Sequence, residues 1–263
     1  MEFQFKENYK FDDLVEILRI LRQPGGCPWD AEQTHESIRR NFIEETYEVV
    51  EAIDNNDSEL LCEELGDSML QVVFHAQIAQ DNGNFNIDDV CDGICKKLIV
   101  RHPHVFGDVV AETSEEVLTN WDAIKMQTKS QTTQAEALDS VSHALPALIR
   151  SHKVQHKAAK CGFDWPDVSG ALDKLSEEVQ ELREAIASGD DKACFDELGD
   201  VLFSAVNVSR FIGVEPEQSL SSSCNKFIAR FAEVEKLAVS RGLDMKTASL
   251  EELDAIWDEI KNK

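Results

Sequence analysis

Apolar residues recur along this chain at α-helical spacing almost everywhere. Leu14, Ile17, Leu18 and Leu21 follow the i, i+3, i+4, i+7 rule, as do Leu172, Leu175, Val179 and Leu182. Val201, Leu202, Ala205, Val206 and Val208 form a nearly continuous apolar face, and Leu198, Val201 and Leu202 beside the acids predict a helix with buried flanks. Strict alternation over a strand length is scarce, and Asp92-Gly93, a hairpin signal elsewhere, sits inside a helical pattern. The pattern predicts an all-α protein of about ten helices.

Breakers separate these helices. Pro24-Gly25-Gly26-Cys27-Pro28 ends the first, and Asp30 or Thr34 is expected to cap the next helix. Polar turns at Asp54–Asp57 and Ser188–Asp191 each divide two acidic helices, and Asn82-Gly83, Gly162, Gly213 and Gly242 mark further ends. Residues 127–134 hold Gln, Thr, Ser and Lys without a bulky apolar side chain, so a linker is expected over 127–136. It would join a domain at 1–126 to a second at 137–263.

The two halves repeat each other. Glu44, Glu45, Glu48, Glu64 and Asp67 recur as Glu177, Glu178, Glu181, Glu197 and Asp200, every member displaced by 133 positions. Lys97–Arg101 matches Lys226–Arg230, and Trp121–Lys125 matches Trp257–Lys261, at offsets of 129 and 136. Duplication explains one order of so many parts better than chance does.

The repeated acids form an EExxE turn followed by an ExxD turn. Residues three or four apart share a helix face, so Glu178 and Glu181 can look across at Glu197 and Asp200. The short turn between them permits antiparallel packing, and Gly199 is expected to let the helices approach closely. Two carboxylates about 5 Å apart repel by roughly 3 kcal/mol at an effective dielectric near 20, so the cluster needs a cation or must partly protonate. Oxygen donors without His or Cys suit Mg²⁺, or Mn²⁺, rather than zinc. Glu177 lies beside this cage, placed to bind a second ion or orient a water. Glu45, Glu48, Glu64 and Asp67 make the first-half copy. A solvated acidic face is the bland reading of both.

Farther along, Lys226 and Arg230 are i,i+4 and suit phosphate oxygens, Asn207 falls two turns after Asp200, and Trp257 offers a ring for stacking on a base. Each also has an ordinary reading: a surface pair, a satisfied amide, a core anchor. Phe74 stands where the second half has Asn207, and Lys96 where it has Asn225, so the second half is the favoured catalytic copy. His102 and His104 suit turn or capping roles, and His75 a core or interface role. A di-iron bundle would need Glu-x-x-His, and both segments here read Glu-Leu-Gly-Asp.

Bulk properties narrow the partners. A net charge of −25 argues against broad binding to nucleic acid or anionic membrane. Seven cysteines, an odd number at scattered spacings, read as reduced thiols of a cytoplasmic protein. No run of about 18 apolar residues is present, and the opening MEFQFKENYKFDD is expected to be neither secretion signal nor transit peptide.

EETYE with EELGD, and EEVQE with DELGD, resemble the signature of the MazG nucleoside triphosphate pyrophosphohydrolases. GCPWDAEQTHESI, KLIVRHPHVFGD, ALPALIRSHKVQHKAAKCGFDW and KFIARF are similar to that family too, over nearly the whole chain. The resemblance implies tandem all-α MazG domains, a homodimer, and Mg²⁺-dependent hydrolysis of nucleoside triphosphates to monophosphate and pyrophosphate. It matches Glu178, Glu181, Glu197 and Asp200 to metal ligands and Lys226, Arg230 and Trp257 to nucleotide contacts. The family often has a Lys shortly before the second ExxD, and Lys192 and Ala193 stand in that region here. The alternative is a nucleotide-sensing or partner-binding regulator without turnover.

Overall fold

The computed structural model describes residues 3–109, 113, 116–117, 124 and 133–261. The chain divides into two compact units, Met1–Lys125 and Met126–Lys263. Among the described residues there is no strand, and twelve helices are present. In the N-terminal unit these are α1 (Phe11–Arg22), α2 (Pro28–Glu32), α3 (Arg39–Asp54), α4 (Ser58–Asp81), α5 (Ile87–Arg101) and α6 (Pro103–Phe106). In the C-terminal unit they are α7 (Gln134–Asp139), α8 (Ala147–Lys160), α9 (Val168–Ser188), α10 (Asp191–Phe211), α11 (Pro216–Ser240) and α12 (Leu250–Lys261). Most of the expected linker lies outside the described residues, and its last three residues open α7 under a Thr133 cap. Trp121–Lys125 also lies outside them, apart from Ile124.

The centre of each unit is a helical hairpin, α3–α4 or α9–α10, and the two are built alike. Asp57 caps α4 by accepting from the backbone N–H groups of Glu59 and Leu60 at 3.1 and 3.0 Å. Asp190, 133 positions on, caps α10 by accepting from Lys192 and Ala193 at 3.0 and 3.1 Å. Just before each cap the backbone turns left-handed, at Asn56 (φ 53°) and Gly189 (φ 71°). Asn and Gly tolerate that region, so both sequences close the same turn.

Around the first hairpin, Leu18 of α1, Ile38, and Val73, Phe74 and Ile78 of α4 form a buried cluster. Arg22 ties it down. Its guanidinium lies over the Phe74 ring at 5.4 Å and donates to Asp81 Oδ2 at 2.8 Å. Gly26 is obligatory at the end of α1, because a Cβ there would stand 2.3 Å from the Ile20 carbonyl oxygen. In the C-terminal unit, Val234, Ala238 and Ile256 join α11 to α12, with Leu237, Leu243, Met245, Trp257 and Ile260 packed alongside.

Several expectations need correction. Neither Asp30 nor Thr34 caps a helix. Proline at N1 opens α2, where its missing N–H costs nothing, and Thr34 instead exchanges hydrogen bonds with Ser37. The apolar side chains beside the α10 acids are not buried within the chain, since Leu198 and Leu202 are exposed and Val201 is half-buried, whereas Val206 farther along is buried. On α9 the buried positions are Ala171, Glu178 and Ala185, while Leu172 is exposed. Gly199 mediates no close approach either, because a Cβ there meets nothing within 4 Å.

Candidate metal and nucleotide site

Each hairpin brings three carboxylates together from its two helices. In the N-terminal unit Glu45 and Glu48 of α3 meet Glu64 of α4, with ligand oxygens within 4.8 Å of one another. In the C-terminal unit Glu178 of α9 meets Glu197 and Asp200 of α10 within the same span. The fourth expected member of each set, Asp67 or Glu181, stands outside the trio but within its electrostatic reach.

The acids feel their crowding. Burial, then the charges of Asp67 and Glu48, push Glu45 above the ordinary carboxylate range. Glu64 rises through burial, then through Glu48 and Asp67. Glu181 is raised first by the hydrogen bond it shares with Glu178, then by burial and the charge of Glu178. Glu178 is the buried member of its trio, only 5 % exposed. The donor set fits a hard divalent ion: every converging atom is a carboxylate oxygen, and the like charges repel until one enters.

Lys174 was not singled out by sequence, although its i,i+3 and i,i+4 spacing to Glu177 and Glu178 was a usable signal. Its Nζ lies 2.8 Å from Glu177 Oε1 and 2.7 Å from Glu178 Oε1. The hydrogen bonds to Glu177 and then Glu178 raise it above the ordinary lysine range. The first half has Asn41 at this place, and there Arg40 holds only the outer Glu44, at 2.7 Å. Glu177 itself is exposed.

The residues expected to meet a nucleotide lie on α10, α11 and α12. Lys226 is exposed and Arg230 half-buried on α11, and neither has an ion pair among the described residues. Trp257 is half-buried against the Val234 cluster, with its ring 5.3 Å from that of Phe227. Asn207 is half-buried on α10, where its Oδ1 accepts from Arg210 Nε at 3.1 Å and Nη2 at 2.9 Å. Lys192 is exposed in the first turn of α10. In the N-terminal unit Phe74 is 4 % exposed, part of the core, and Lys96 pairs with Asp92 at 2.6 Å. His102 and His104 sit where α5 meets α6, and His102 Nδ1 lies 2.7 Å from the Leu98 carbonyl. His75, half-buried, meets His35 with Nδ1 atoms 2.8 Å apart.

Known proteins share this arrangement of sequence. The MazG nucleotide pyrophosphohydrolase domain matches residues 33–106 and again 168–234, and each match spans one hairpin. A nucleoside triphosphate pyrophosphohydrolase of Escherichia coli K12 is 43 % identical over 259 residues, covering 97 % of this chain and 98 % of its own. A nucleoside triphosphate pyrophosphohydrolase/pyrophosphatase MazG of Thermotoga maritima is 43 % identical over 251 residues, 95 % of each chain. The uncharacterized protein YabN of Bacillus subtilis is 46 % identical over 257 residues, 96 % of this chain and 52 % of its own. With two hairpins and two domain matches, this chain belongs to the MazG nucleotide pyrophosphohydrolase family as a tandem all-α member.

Proposed function

We propose that this nucleoside triphosphate pyrophosphohydrolase turns over in its C-terminal unit, with Glu178, Glu181, Glu197 and Asp200 as ligands of Mg²⁺ or, in its place, Mn²⁺. The observation that carries the reading is the convergence of Glu178, Glu197 and Asp200 within 4.8 Å around a nearly buried Glu178. A bound ion would neutralise triphosphate oxygens as the bond between α- and β-phosphates breaks.

The chain's own groups divide the remaining work. Lys174 fixes the side chains of Glu177 and Glu178. Glu177, at the exposed edge of the cage, accepts a hydrogen bond from the attacking water and orients it. Lys226 and Arg230, free of ion pairs among the described residues, meet the phosphate charge that the metal leaves. Trp257 stacks on the base, and Asn207 reads a base or sugar edge. Monophosphate and pyrophosphate leave, from ribo- and deoxynucleotides alike, which suits clearance of the nucleotide pool.

For the N-terminal unit a regulatory or structural role is favoured. Its cage of Glu45, Glu48, Glu64 and Asp67 is present as a second metal site, but buried Phe74 replaces the amide that would read a nucleotide. The assembly is a homodimer. Residues 218–229 of α11 are exposed throughout, Leu220, Phe227 and Ile228 among them, as are Leu198 and Leu202 beside the cage. Large apolar side chains left exposed in this way suit a protein interface. No described helix is long and apolar enough to cross a membrane. The net charge of −25 disfavours nucleic acid and anionic bilayers, and the seven thiols, none in a disulfide, suit the cytoplasm.

Glu178→Gln and Asp200→Asn test the site. Each is expected to abolish pyrophosphate release from nucleoside triphosphates with Mg²⁺, and to weaken Mg²⁺ uptake in calorimetry, while circular dichroism stays helical. Unchanged turnover in either variant rejects the assignment.

A further inference from the structure

We infer that Asp164 and Arg210 lock the Asn207 amide in one orientation, and so require a hydrogen-bond acceptor on the nucleotide at the point Asn207 meets. The inference rests on the reading of Asn207 as a nucleotide contact.

An asparagine presents two chemically opposite ends, a carbonyl that accepts and an NH₂ that donates. Which end faces a ligand is ordinarily open to rotation of the amide. Here it is not. Arg210 approaches Asn207 through Nε at 3.1 Å and Nη2 at 2.9 Å. A guanidinium carries donors only and stays charged, so the atom that faces it must be the carbonyl Oδ1. A flipped amide would set NH₂ against N–H groups and lose two charge-assisted hydrogen bonds.

Arg210 is itself immobilised. Its side chain is 12 % exposed and grips Asp164 in a bidentate pair, with Nη1 donating to Oδ2 at 2.9 Å and Nη2 donating to Oδ1. The planar fork suits two-point recognition of a carboxylate. Its other face lies over the Phe211 ring at 4.4 Å. Asp164 Oδ1 also accepts from the Trp165 backbone N–H at 2.9 Å, which holds the carboxylate in place. The order is therefore backbone to Asp164, Asp164 to Arg210, Arg210 to Asn207. Asn207 Nδ2 is left as the atom free to address a ligand.

Distance along α10 fits a nucleoside rather than a phosphate at this place. Asp200 and Asn207 are two turns apart, which is about 10 Å along the axis. A triphosphate held at the cage puts its sugar and base at that remove. A carbonyl oxygen, an unprotonated ring nitrogen or a ribose oxygen is accepted there, and a ligand group that only donates is repelled. Arg210 and Asp164 are positioning residues, acting through Asn207. The first half has none of the set: Phe74 and Gln77 stand 133 positions before Asn207 and Arg210, and Ala31 before Asp164.

The test measures kcat and KM of the full-length protein for the four ribonucleoside triphosphates, their 2′-deoxy forms, and analogues lacking single base carbonyls. The base-modified and sugar-modified arms tell which acceptor is read. Asn207→Ala is expected to raise KM for the preferred substrate and to compress the spread of kcat/KM across the panel by about 3- to 10-fold, the worth of one hydrogen bond. Arg210→Met compresses the same spread, and the double variant adds no further compression. Asp164→Asn moves it in the same direction by less, and carries the test if Arg210→Met melts early. An intact spread in Arg210→Met and Asp164→Asn beside a collapsed one in Asn207→Ala overturns the relay and leaves the Asn207 contact standing. An intact spread in Asn207→Ala, or no preference in the wild type, overturns both.

Discussion

The two hairpins of this chain share a skeleton and differ in what surrounds it. Caps at Asp57 and Asp190, left-handed turns at Asn56 and Gly189, and a trio of converging carboxylates recur in both. Beyond the trio the halves part. On the N-terminal side an arginine, Arg22, covers a buried phenyl ring and strengthens a core. On the C-terminal side an arginine, Arg210, aims an amide. Lys174 reaches into the C-terminal trio, whereas Arg40 reaches only its outer neighbour Glu44 in the other. Two imidazoles meet at His35 and His75, where the positions 133 further on are Val168 and Val208. Both halves keep what builds a metal-sized cluster, and they differ in the side chains packed around it.

The sharpest way to break this comparison is to disable the cages one at a time. Glu178→Gln should cost on the order of 10³-fold in kcat if the proposed ion is ligated there, since such an ion would supply charge stabilisation of that size. Glu45→Gln and Glu64→Gln should cost only a few fold by the same pyrophosphate assay. Equal losses on the two sides would erase the distinction between them.

Next in size is the core role of Phe74. Phe74→Ala should destabilise the N-terminal unit by about 3–4 kcal/mol in urea melts, as deletion of a buried aromatic ring does. Asn207→Ala should move stability far less and substrate preference more. A stable Phe74→Ala protein would show that the ring fills no core.

The histidine pair separates the halves by pH. Burial, then the charge of His35, lowers His75 below its ordinary value of 6.5. A base whose folded value is lowered prefers to be neutral in the fold. Its contribution is therefore present above about pH 6.5 and lost as pH falls through the lower folded value. Phe42 packs at 5.7 Å from the His75 ring, and His35 is the charge that acts on His75. Urea midpoints between pH 7.5 and 5.5 should fall for the wild type more than for His75→Val, which copies the valine of the other half. Parallel slopes would show that the pair contributes no pH dependence.

The smallest expected effect is one that should not differ. Asp57→Ala and Asp190→Ala each remove an N-cap and should each cost about 1 kcal/mol in thermal melts. Unequal losses would show that one hairpin depends on its neighbours more than the other does.

The range of each interaction decides whether it was legible in the sequence. The carboxylate faces and the turns depend on residues a few positions apart, so spacing alone revealed them. The caps expected at Asp30 or Thr34 did not form, and Asp57 and Asp190, which do cap, read in the sequence only as turn residues. Lys174 was equally local, but a lysine on an acidic helix is ordinarily a surface pair and drew no notice beside the acids. Arg22 with Asp81, His35 with His75, and Arg210 with Asp164 join residues 59, 40 and 46 positions apart. Those pairings depend on how helices dock, which no periodicity records. The exposed leucines of α10 misled for a related reason: apolarity marks a face that needs cover, without saying which chain provides it.

The C-terminal trio lies wholly between positions 178 and 200. Loops this short close quickly and at little entropic expense. The cluster can therefore assemble during synthesis as soon as α10 emerges, before α11 and α12 exist to cover it. A divalent cation arriving at that moment would act as a folding ligand, stapling two nascent helices, well before it serves any nucleotide.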